Sequence, residues 1–261
     1  MPKKHIDKSV PIYLRIRQRA RQIVSDFPSP DFYKNFSSFD ELSRHLFETD
    51  PTLAELRLFV KQNIEDDFGH GLQHAIKVAL DAGTLILIEG RRKGYSNKFI
   101  ERRALVTQCA GLLHDIKRKQ KKHAVKGAAY ARGILQNYNF KPEEIEAIWK
   151  AIHNHEAFVT DTAKINTRRG ELVSDCLYDA DKFRWGPDNF THTLWDMVLY
   201  HNPPLLKFMD RYPQGMEGLA KIKSTFRSYT GKQYGPQFID LGLAIGEKLY
   251  QVIKMEFAQY L

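Results

Sequence analysis

The chain has 261 residues, 43% of them apolar and 27% charged, a balance that excludes a disordered tail, a collagen-like repeat and a disulfide-stapled miniprotein. Forty Lys and Arg against thirty-one Asp and Glu leave a formal charge of +9, which favours anionic partners, whether small phosphorylated molecules or nucleic acid. Cys109 and Cys176 are too few for a disulfide framework, no apolar segment follows the basic N-terminus, and the longest aliphatic run, Leu85 to Ile88, is far short of the ~20 residues of a membrane span. The expectation is a cytoplasmic protein with reduced thiols and no membrane contact.

Apolar residues recur at helical spacing almost throughout and strict alternation is nearly absent, so the chain reads as all-α. Ile12 to Ile23, carrying Arg15, Arg17, Arg19 and Arg21, forms a first helix that Pro28 and Pro30 break. Asp50 and Pro51 supply an N-cap and first position for a helix through about Asn63. The next helix runs from about Gly71 to Glu89 and ends near Gly90, and another runs from Asn97, as cap, to about Leu113. Residues Lys117 to Lys122 make a basic loop or helix start before a helix from His123 to about Gln136. Pro142, Glu143 and Glu144 open a helix whose acidic first turn suits the macrodipole. A further helix covers roughly Glu171 to Lys182, and Gly186-Pro187 interrupts the chain. Beyond it the stretch from Asn202 to Gly215 separates one helical segment from two more, the last an amphipathic helix from about Pro236.

Histidine and aspartate concentrate around His70 and His74, at His114-Asp115, at His153 to Glu156, and at Asp179 to Lys182. Six of the ten histidines fall between residues 70 and 155, which is clustering and not scatter. Imidazole nitrogen with carboxylate oxygen is the donor set for divalent Mn, Fe, Mg, Zn, Co or Ni, and such donors must point inward from helices otherwise packed as core. His74 lies four residues after His70 and four before Val78, on one helical face. His114 and Asp115 end the stripe of Leu105, Cys109 and Leu112, and two adjacent residues reach one ion if the helix stops there. Asp181 closes the stripe Val173, Cys176, Leu177 and Ala180, where a lone charge is expensive and a cation offsets the cost.

Over about residues 55 to 185 the sequence resembles the HD-domain superfamily of metal-dependent phosphohydrolases, whose signature is a histidine, a His-Asp pair and a later aspartate on an all-α scaffold. His74 is similar to the first histidine, His114 and Asp115 to the pair, and Asp181 to the last ligand. The resemblance implies an HD-domain helical bundle at residues 51–185, with a helical extension at 1–50 and a second at 186–261 packed on the same domain. His123, four residues before Gly127, and His155-Glu156 resemble the binuclear branch, to which the HD-GYP phosphodiesterases belong, and make His123 and His155 candidates for a second ion. The pattern departs from that branch, because Asn154 separates His153 from His155 and no Gly-Tyr-Pro follows. Helical spacing places His155 on the stripe of Ile145, Ile148 and Ile152 and turns His153 away from it.

The resemblance implies hydrolysis of a phosphate ester, of a nucleotide or another small phosphorylated molecule, by water that one or two divalent ions activate. No phosphate-binding Gly-rich loop and no serine-nucleophile elbow occurs. Asp115 is the candidate for steering the water, His155 for meeting substrate or metal, and Lys117 and Arg118 for meeting the phosphate, with a weaker claim for Lys182 and Arg184. His70 and Asp179 read as neighbours that orient the site, and His45, His192 and His201 as surface or core residues. Two alternatives stand beside the hydrolase: a di-iron oxygenase of the same superfamily, and a regulatory or nucleic-acid-binding module that uses its arginine-rich first helix and a structural metal.

Overall fold

The structure, a computed structural model, describes residues 11–64, 71–160, 162–165 and 167–261, so His5 and His70 lie outside the described residues. Among these residues there are twelve α-helices and no strand: α1 (Ile12–Ser25), α2 (Asp31–Asn35), α3 (Ser37–Thr49), α4 (Pro51–Asn63), α5 (Leu72–Arg92), α6 (Asn97–Leu113), α7 (His123–Leu135), α8 (Pro142–His153), α9 (Arg168–Phe183), α10 (Leu194–His201), α11 (Leu205–Ile222) and α12 (Tyr229–Glu256). A π-helical turn at Asn189–Thr193 precedes α10, and a 3-10 turn at Ala258–Tyr260 follows α12. No described helix is long and apolar enough to cross a membrane. Cys109 and Cys176 are both buried and outside any disulfide.

A helix that is apolar on every side needs neighbours all round it, and from Val78 to Gly90 every residue of α5 is buried. Helices α3, α6 and α9 pack around it, α8 packs on α6 and α9, and α7 covers α8. The approach of α5 and α6 requires a glycine at 111, where a Cβ would lie 2.5 Å from Ala79 Cα. Two carboxylates on the buried helix fasten the flanking segments. Asp81 accepts from Tyr33 Oη of α2 at 3.0 Å and pairs with Arg184 beyond α9. Glu89 Oε1 accepts from the backbone N–H and the hydroxyl of Thr230 in α12, at 2.8 and 2.6 Å. Asp179 of α9 accepts from the backbone N–H groups of Arg227 and Ser228, both at 2.8 Å, so its task is to hold the start of α12. Buried charge is tolerated at each place because it is hydrogen-bonded.

Three arginines of α1 tie that helix to the later part of the chain. Arg15 donates to Tyr260 Oη at 2.9 Å, Arg17 to the Thr191 carbonyl at 3.2 Å, and Arg19 to the Glu256 carboxylate.

Several boundaries differ from the sequence reading. The residues after Pro30 form α2 and α3, and α5 runs through Gly90 to Arg92. Ser96 is the N-cap of α6, while Asn97 Oδ1 accepts from Arg91. The stretch from Asn202 to Gly215 is largely helix: Pro213 lies inside α11, and Pro236 lies inside α12, which starts at Tyr229. An interior proline loses a hydrogen bond and crowds the preceding turn. Here packing outweighs that cost, with Tyr212 buried and bonded to the Gly246 carbonyl at 2.9 Å, and Phe238 and Ile239 in the core.

Candidate metal centre

Four chain segments converge: the first turn of α5, the end of α6, the residues after α8 and the last turn of α9. A helix leaves its last carbonyls without partners inside the helix, and two histidines exploit this. Helix α6 stops at Leu113, and His114 Nδ1 lies 2.7 Å from the Gly111 carbonyl. Helix α8 stops at His153, and His155 Nδ1 lies 2.6 Å from the Ile152 carbonyl. Only an Nδ1–H can bond a carbonyl, so each ring turns its Nε2 lone pair toward the interior. His155 thus reaches the site from beyond the end of α8, past the Asn154 cap, and not from the helical stripe that the sequence suggested.

The donor atoms lie at spacings that suit a cation. His74 Nε2 is 3.2 Å from His114 Nε2 and 3.3 Å from Asp181 Oδ1, and His114 Nε2 is 3.7 Å from Asp181 Oδ1 and 3.5 Å from Asp115 Oδ2. Metal bonds of about 2.1 Å separate donors by about 3.0 Å at right angles and about 3.4 Å at the tetrahedral angle. These residues therefore fit a divalent ion of the first transition row. His74, His114 and Asp181 form one group of converging donors, and His114, Asp115 and His155 a second.

Burial pushes the His114 imidazole down to about 3, against the pull of Asp115 and Asp181, so at neutral pH it is an uncharged donor. Burial opposes ionisation of Asp181, yet Lys182, His74 and His114 hold its carboxyl well below the usual range. Lys182 is itself buried, with Nζ 2.5 Å from Asp181 Oδ2 and 3.1 Å from the His155 carbonyl. It thereby joins the segment of His155 to that of Asp181.

Past His155 the row of rings continues to His123, whose centroid is 5.3 Å from that of His155. His123 Nδ1 lies 2.6 Å from Glu156 Oε1, and its Nε2 lies 3.3 Å from Asp115 Oδ1 and 2.7 Å from Arg118 Nη1. Lys117 Nζ sits over the Tyr130 ring at 3.7 Å, and Arg184 is engaged with Asp81, Asp188 and Tyr33. His153 turns aside, against Trp149, and His45 and His201 are exposed. The sequence reading missed Glu156 as the partner of His123, although its place beside His155 was the available signal. It also missed Arg17, Lys61, Lys77 and His192, which line a cavity of about 680 Å³ with His74 in its wall. Of these only Lys77, one turn from His74, carried a local signal.

Residues 71–186 match the family model of the HD domain. No curated protein matches the chain. Among solved structures, one from an uncultured Thermotogales bacterium, described as a predicted HD superfamily hydrolase, is 21% identical over 83% of this chain and 94% of that chain, with a TM-score of 0.42. His74, His114, Asp115 and Asp181 all fall inside the matched segment, and by the family-model match residues 71–186 belong to the HD-domain superfamily.

Proposed function

We propose that this HD domain hydrolyses a phosphate ester of a small molecule, a nucleotide or a comparable phosphorylated compound, with a divalent ion held by His74, His114, Asp115 and Asp181. One observation carries the reading: His74, His114 and Asp181 meet at the spacings of a coordination polyhedron, with Asp115 Oδ2 3.5 Å from His114 Nε2 and the His114 lone pair fixed inward. When bound, the cation supplies a lowered water pKa and neutralises charge on the phosphoryl group. In this reading Asp115 Oδ1 and His155 Nε2, 3.4 Å apart, orient water and accept its proton. Glu156 fixes the His123 ring beside them. The cavity beside His74 suits an anionic substrate, since Arg17, Lys61, Lys77 and Arg184 line it together with the carboxylate of Asp188.

The test is elemental analysis of protein purified without chelator, followed by phosphate release from a panel of monoesters and diesters before and after chelation. Activity that chelation removes and one divalent cation restores is expected; metal-loaded protein that cleaves no ester in the panel would refute the reading. His155→Ala is expected to keep its metal and to lose about a hundredfold in kcat, the scale of a lost proton acceptor. Loss of about half the bound metal would instead make His155 a ligand to a second ion.

A further inference from the structure

Of the three groups that stand where a second ion would bind, Asp115, His123 and His155, the first two face one cation that the chain itself provides. Arg118 follows Asp115 by three residues in the turn after α6, and its Nη1 lies 2.7 Å from His123 Nε2 and 3.8 Å from Asp115 Oδ1. A guanidinium nitrogen only donates, so His123 Nε2 is the acceptor. That assignment agrees with the other edge of the ring, where Nδ1 faces the Glu156 carboxylate at 2.6 Å. The lone pair that would bind an ion is therefore spent on Arg118. His155 Nε2, 3.4 Å from Asp115 Oδ1, faces the same carboxylate oxygen that Arg118 approaches.

We infer that the Arg118 guanidinium takes the place of a second metal ion, leaving a one-ion centre whose other positive charge is covalently part of the chain. This rests on the metal-centre reading above. The substitution is sound electrostatically, because an arginine stays charged at any physiological pH and its fork can hold a phosphate oxygen as well as His123. It differs from a metal in one respect: a guanidinium lowers no water pKa, so activating the water falls to the one ion, with Asp115 and His155 beside it. Arg118 is partly exposed, so it can be replaced without opening the core.

The experiment is metal stoichiometry after equilibrium dialysis against manganese, read by elemental analysis and by the exchange-coupled spectrum that a manganese pair gives and a single ion does not. The parent is expected to hold about one ion per chain, and Arg118→Ala about two, as His123 Nε2 becomes free to ligate. Arg118→Lys should stay near one, since an ammonium keeps the charge. Arg118→Ala/His123→Ala should return to one, which places the extra ion at His123. Turnover of Arg118→Ala should fall at least about tenfold at limiting manganese and recover in excess. Two ions in the parent, or one in Arg118→Ala, would overturn the inference while leaving the hydrolase reading intact; a parent that binds no ion would end both. Arg118→Met, which keeps the stem, gives the same reading should the alanine variant melt early.

Discussion

Replacing His114 by alanine is expected to remove the bound metal and the hydrolytic activity together. His114 belongs to both groups of converging donors, so its Nε2 is the corner they share. Loss of an outer partner of a metal ligand weakens metal binding by about 10- to 100-fold, and loss of a donor should exceed that. Turnover should drop by about a thousandfold or more, equivalent to roughly 4 kcal/mol in the barrier. The variant also strips the Gly111 carbonyl of its 2.7 Å partner, which costs about 1–3 kcal/mol of stability. A melt against chelated parent protein therefore separates unfolding from loss of metal. Metal-replete His114→Ala with the parent's turnover would dismiss the site.

What the sequence disclosed divides along the line between local and distant causes. Asp50 with Pro51 marked the start of α4 because a cap is local chemistry, and its Oδ1 does accept from Thr52 and Leu53. Pro213 and Pro236 misled for the same reason: proline speaks for the isolated chain, whereas α11 packs on α12 and α12 packs also on α9, α1 and α5. Ser43 marks the other omission, since α3 is held by a buried contact of that residue with the Leu80 carbonyl and Gln108, which no periodicity announces. The donor set was legible because each member lies at one end of an apolar helical stripe, His74 at the start of α5, His114 and Asp115 just past α6 and Asp181 in the last turn of α9. His155 was legible only in outcome, because its Nδ1 contact with the Ile152 carbonyl at the end of α8, and not a helical face, turns it inward. The basic cavity was hidden, since Arg17, Lys61 and His192 come from three remote segments that only the fold joins.

Arg184 shows how far a residue near the site can serve the fold, and Arg184→Leu is expected to lose about 3–5 kcal/mol, the toll of leaving a buried charge without its partner. Arg184 is 6% exposed, caps α9 three residues after Asp181, and bonds Asp81, Asp188 and Tyr33 Oη. Burial already lifts the Asp81 carboxyl to about 6, with Arg184 and Tyr33 pulling it down. Without the guanidinium the folded-state value climbs further above the unfolded ~3.9. The folded protein then binds that proton more tightly than the unfolded chain does, so stability falls as pH rises between the two values. The loss should therefore be greatest near pH 8 and shrink toward pH 5, where Asp81 is protonated and needs only the Tyr33 hydroxyl. Urea unfolding at the two pH values measures this directly. A loss below about 1 kcal/mol at both, or one that grows toward acid, would show that Asp81 is sustained without Arg184.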